Sequence, residues 1–211
     1  MEKSNLLKEL SNKKIKAETI VELVTKNPKL IPTILQGFLS DKADIKFKSA
    51  RILSLISKEK PRLLYPLFDF FVEHLSNENN ILKWNAMDVI ANLTVVDSKK
   101  KFDKLFKRFY KMLYEGSLIT ANHVVSGSPI IVQVKPRLSE KITNELLKVE
   151  KIPLPTQECR NILKGKILDT FNQYFDLIKN KKSIINFAKK ELNNSRNSTK
   201  VKAERFLEKW S

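Results

Sequence analysis

Glycine is scarce in this sequence, at 4 of 211 residues. The loops that cradle phosphates in nucleotide-binding enzymes need several glycines close together, and no such loop is present. Cysteine occurs once, as Cys159. A lone cysteine forms no internal disulfide, which points to a reducing cytoplasm, and on a helix it serves as a small, half-buried hydrophobe. His74 and His123 are far apart and lack ligand spacing with Cys159, so no metal site is expected. An apolar leader is also missing: Met1-Glu2-Lys3-Ser4-Asn5 opens the chain without one. Charge is absent from Gly116 to Val134, a stretch near spanning length. Its Ser117, Thr120, Asn122, His123, Ser126, Gly127, Pro129 and Gln133 make a lipid-facing helix too costly. The stretch reads as an enclosed helix, and no membrane, cofactor or small-molecule substrate is expected.

What the chain does have is positive charge and helical periodicity. Forty basic residues against 23 acidic ones give a formal charge of +17. Such a balance attracts polyanions, so nucleic acid or an acidic protein surface is the expected partner. Only Arg51, Arg62, Arg108, Arg137, Arg160, Arg196 and Arg205 are arginine. Sequence readers lean on arginine for its planar fork, so the lysine excess fits sequence-independent attraction, or a solvated lysine surface set by coding bias.

The stretch 82–93 organises the fold. Leu82, Val89, Ile90 and Leu93 recur at helical spacing around small Ala86. The same pattern stands 37 positions earlier, where Ser49 precedes Ile52, Leu53 and Ile56. It returns in the last helix, where Ala203 precedes Phe206, Leu207 and Trp210. A unit of this period is the mark of a stacked helical repeat. Prolines punctuate it: Asn27-Pro28, Lys60-Pro61 and Lys135-Pro136 each end one helix and open another. The reading is a single all-α domain over 1–211, an α-α superhelix of about five hairpins with repeats at 14–58, 61–97, 99–134, 136–178 and 181–210. The opening turns around Leu6 to Leu10 are expected to cap the first repeat, and Pro129 to kink or break its helix.

The second helices resemble those of the HEAT and HEAT-like, armadillo-related repeats, whose pattern is Asp-x-x-x-Val-Arg-x-x-Ala. The matching residues are Asp41, Ile45, Lys46 and Ser49, then Glu78, Leu82, Lys83 and Ala86, with lysine where the family carries arginine. The resemblance implies a right-handed solenoid that presents a concave surface to a partner.

Two surfaces are candidates for that contact. Lys100, Lys104, Lys107, Arg108 and Lys111 share one helical face, opposite Phe102, Phe106 and Phe109, and such a row can track phosphates. The plainer reading is the wet side of an outer helix. Lys48, Arg51, Asn85, Asp88, Asn92 and Asn122 fall beside the buried stripe of the second helices, where a concave wall is expected. Their amides suit a peptide backbone or a base edge, or bonds between adjacent repeats. Some HEAT-like proteins are alkylpurine DNA glycosylases, and Trp84 with Asp88 offers the aromatic and carboxylate such an enzyme uses. Trp84, however, aligns with Phe47, read as a packing position, and no further aromatic cluster is present to hold an extruded base. The expectation is therefore a monomeric, cytoplasmic, non-enzymatic scaffold without catalytic residues.

Overall fold

Proline sets where the helices begin. Pro28, Pro61 and Pro136 each stand at the first position of a helical turn, where the missing N–H would lack a partner anyway. The computed structural model describes residues 3–12 and 14–211, and among them there is no strand. The helices are α1 (Lys3–Ser11), α2 (Ala17–Lys26), α3 (Ile31–Phe38), α4 (Ala43–Glu59), α5 (Pro61–Leu64), α6 (Phe68–His74) and α7 (Asn80–Leu93). They continue as α8 (Lys101–Lys111), α9 (Leu118–Val134), α10 (Ser139–Leu147), α11 (Gln157–Tyr174), α12 (Lys181–Glu191) and α13 (Asn197–Trp210). Single 3₁₀ turns precede or follow several of them.

The second helix of a hairpin starts by a recurring device. Ser40, Asn77 and Asn194 each accept the backbone N–H two residues on, at 3.2, 2.8 and 2.9 Å. Each bond turns the chain just before α4, α7 or α13, as short polar side chains do in turns. Elsewhere side-chain caps take over. Asn79, Ser117 and Thr156 accept N–H groups of the first turns of α7, α9 and α11.

The chain forms two compact units, Met1–Lys99 and Lys100–Ser211. At the boundary Lys100 adopts left-handed backbone, φ 53°, the one described non-glycine residue to do so. In the first unit the second helices stack as α2 on α4 on α7, while α3 and α6 pack against α4 and α7. In the second unit the stack is α9 on α11 on α13, with α10 against α9 and α12 against α13. The core is the seam between helices of successive layers: Ile52, Leu53 and Ile56 of α4 and Val89, Ile90 and Leu93 of α7 are fully enclosed. Among the described residues no helix is long and apolar enough to cross a membrane.

At the start of the chain α1 lies against α3 and α4 with Leu6 and Leu10 buried, while α2 lies against α4. One expectation needs correction. Pro129 neither breaks nor ends α9, which runs through it to Val134. The proline frees the carbonyl of Val125 four residues back, and the Thr170 hydroxyl of α11 donates to that oxygen at 3.3 Å. A partner from the next layer replaces the missing helical bond.

Candidate macromolecule-binding surface

On α8 every third or fourth residue is apolar, and the helix buries that stripe. Phe102, Leu105, Phe109 and Tyr110 are enclosed, and the Tyr110 hydroxyl meets Ser128 Oγ of α9 at 2.9 Å. The opposite side carries Lys104, Lys107, Arg108 and Lys111, all exposed, with exposed Lys100 just ahead of the helix. Residues four apart rise about 6 Å along a helix, so the ammonium groups form a row. Phe106 is half-buried and stacks near Tyr110, with centroids 4.7 Å apart, as packing rather than as a platform. The one acid within α8, Asp103, accepts hydrogen bonds from Lys135 at 3.4 Å and from Arg137. Its charge is thereby answered from the following hairpin and does not offset the row. Among the described residues Lys100, Lys104, Lys107 and Lys111 pair with no carboxylate, while Arg108 is engaged.

The six residues of the second helices stand differently. Asn85 is buried and its Nδ2 donates to the Ala50 carbonyl at 2.7 Å. Asn92, also buried, donates to Ser57 Oγ at 2.8 Å. Both amides thus join α7 to α4. Lys48 reaches past its own layer and donates to the carbonyls of Glu9 and Asn12 at 2.9 and 2.7 Å, capping the end of α1. The desolvation of that site pulls its ammonium below the usual lysine range. Arg51 is exposed and pairs with Glu18 of α2 at 2.6 Å, which holds the Glu18 carboxyl below its ordinary value. Asn122 and Asp88 are half-buried, on α9 and α7. Trp84 is likewise half-buried, and both it and Asp88 already have partners. Phe47, expected at a packing position, is 57% exposed. It borders an open cleft of about 860 Å³ between α2 and α4, with Lys16, Glu18 and Arg51 at the rim.

A polar cluster in the second unit lies outside what the sequence pattern predicts. Lys164 of α11 is nearly enclosed and lies 3.0 Å from buried Glu191 of α12 and 2.6 Å from exposed Glu150. Burial works against its charge, yet the two carboxylates outweigh it and raise the ammonium above its ordinary value. Asn194 completes Glu191 at 2.6 Å, and Asn161 bonds Ser195 at 2.9 Å. A signal for it exists: Gln157, Asn161 and Lys164 recur at helical spacing on a face that should otherwise be apolar. Gly165, beside them, is the small residue against which Thr199 of α13 closes, and this sets the register of α11 that periodicity leaves open.

Several cross-layer bonds share a similar spacing. Glu18 with Arg51 and Asp169 with Lys202 are each 33 residues apart, and Asn85 with Ala50 and Asn92 with Ser57 each 35.

No family model and no curated protein matches the chain in sequence. Solved structures do match its fold. An engineered protein from a structural genomics consortium aligns over 97% of this chain and 86% of its own, with 13% identity and a TM-score of 0.54. A designed armadillo repeat protein aligns over 96% of this chain and 89% of its own, also with 13% identity, and a TM-score of 0.56. The layered hairpins, the recurring cross-layer bonds and these two likenesses lead to one statement: the chain has the fold of the HEAT/armadillo-like helical repeat proteins.

Proposed function

We propose that the chain is a non-enzymatic helical-repeat scaffold that holds a polyanionic macromolecule, nucleic acid or an acidic protein surface, along the basic face of α8. The observation that carries this reading is the division of α8 into a buried aromatic stripe and an exposed row of Lys104, Lys107, Arg108 and Lys111. Lysines in a row attract charge without reading sequence, because each contributes a point charge rather than a fixed fork. The second-helix amides support the same choice of surface, since Asn85 and Asn92 already serve the stack. The protein acts as a cytoplasmic monomer in this reading.

The test is a salt titration of binding to duplex DNA and, separately, to polyglutamate. Every phosphate that the protein no longer neutralises makes the fall of log affinity with log salt shallower by about 0.9. Lys104→Gln/Lys107→Gln/Lys111→Gln should weaken binding and flatten that slope. Wild-type protein that binds neither polyanion at low salt would end the proposal. Release of a damaged base from DNA, abolished in Asp88→Asn, would instead establish a glycosylase.

A further inference from the structure

The last two second helices enclose a smaller cleft of about 320 Å³, lined in part by Asp169 and Asn172 of α11 and by Lys202, Arg205 and Lys209 of α13. The three cations stand three and four residues apart along α13, so they form one stripe. Asp169 is the one acid among the lining residues, and its Oδ2 receives Lys202 Nζ at 2.6 Å. Asn172 Oδ1 accepts from the Trp210 indole N–H at 2.8 Å. Its acceptor end is therefore engaged and its NH₂ end remains for the cleft. Lys209 Nζ sits over the Trp210 ring, 4.5 Å from its centroid. Arg205 and Lys209 are both exposed, and among the described residues neither forms a salt bridge. The opening thus presents mostly donors, with the charge of Asp169 answered by Lys202.

We infer that this cleft binds a phosphodiester group of a nucleic acid strand, a backbone contact additional to the α8 row. The inference rests on the polyanion reading above and narrows it to nucleic acid. Arg205 supplies what α8 has little of, a planar fork that can hold two oxygens of one phosphate. A carboxylate side chain would also meet the donors, but a chain of formal charge +17 most strongly attracts the polymer that carries a charge on every unit of its backbone. One anionic group fits the small volume.

The experiment compares wild type, Arg205→Gln/Lys209→Gln and the charge-keeping Arg205→Lys/Lys209→Arg for binding to a fluorescent duplex of random sequence, across a salt series. Thermal melts confirm that each variant folds. The glutamine variant should lower the salt slope by about 0.9 for the phosphate released, and the charge-keeping variant should restore it. Its binding to polyglutamate should match wild type. A glutamine variant with the wild-type slope on DNA overturns the cleft while leaving the α8 reading intact. Equal loss of polyglutamate binding overturns the assignment to nucleic acid. A glutamine variant that loses binding of inorganic phosphate yet keeps the wild-type salt slope on duplex assigns the cleft to the free ion and overturns the strand. Wild-type protein that ignores DNA at low salt defeats both the inference and the nucleic-acid arm of the broader reading.

Discussion

The hydroxyl of Thr170 on α11 donates to the carbonyl of Val125 on α9, the oxygen that Pro129 leaves without its helical N–H. Thr170 is fully buried, so no solvent can replace it. Thr170→Val keeps the shape and removes the donor, and it should cost about 1–3 kcal/mol by leaving a buried carbonyl unpaired. Thr170→Ser should cost less. In a Pro129→Ala background the helical N–H returns, and the penalty of Thr170→Val should shrink. Urea denaturation of the four proteins forms the cycle that checks this. Equal penalties in both backgrounds would mean the hydroxyl does not act through that oxygen.

Gly165 should resist replacement although it sits mid-helix. A Cβ there would stand 2.8 Å from Thr199 Oγ1, which itself donates to the Asn161 carbonyl at 2.8 Å. Gly165→Ala gains up to about 1 kcal/mol of helix propensity. Overpacking of about 1–3 kcal/mol should outweigh it. Gly165→Ala/Thr199→Ala should recover part of the deficit in a thermal melt.

The Lys164–Glu191 pair should be sensitive to removal of one partner. Lys164→Met leaves Glu191 enclosed with only Asn194 to answer it, and a destabilisation of about 3–5 kcal/mol is expected. Lys164→Met/Glu191→Leu should restore much of the stability in denaturant titration.

High pH should destabilise the second unit. Burial pushes the phenols of Tyr110 and Tyr174 well above the ordinary tyrosine value, and the carboxylates beside Lys164 raise its ammonium despite burial. In each case the folded chain holds a proton that the unfolded chain gives up near pH ~10. Their stabilisation is complete below that pH and declines as pH climbs beyond it. Urea midpoints measured from about pH 8 to 11 should fall, and Tyr110→Phe should flatten the decline. At neutral pH the same change should cost about 1 kcal/mol, the hydrogen bond to Ser128.

Much of this architecture is legible because it is written in periodicity. The stripe Leu82, Val89, Ile90 and Leu93 is fully or nearly enclosed, and Pro28, Pro61 and Pro136 open helical turns. The α8 face is legible for the same reason, since a helical period assigns both its greasy and its charged side. Partners are another matter. Whether Asn85 meets a ligand or the Ala50 carbonyl depends on a helix 35 residues away, and spacing within one helix is silent on that. Pro129 reads as a break because the sequence rule counts only the helix's own bonds, while Thr170 lies 41 residues further on. Phe47 departs from expectation because the stripe beside Ile45 predicts type of residue, not what covers it.

The side-chain bonds between layers described above reach from 27 residues, for Lys164 with Glu191, to 45, for Thr170 with Val125. Each joins neighbours and none skips a hairpin. Gene rearrangements that delete or duplicate one whole hairpin would therefore create a single new junction, and lineages could lengthen or shorten such a chain in single steps without redesigning the remainder.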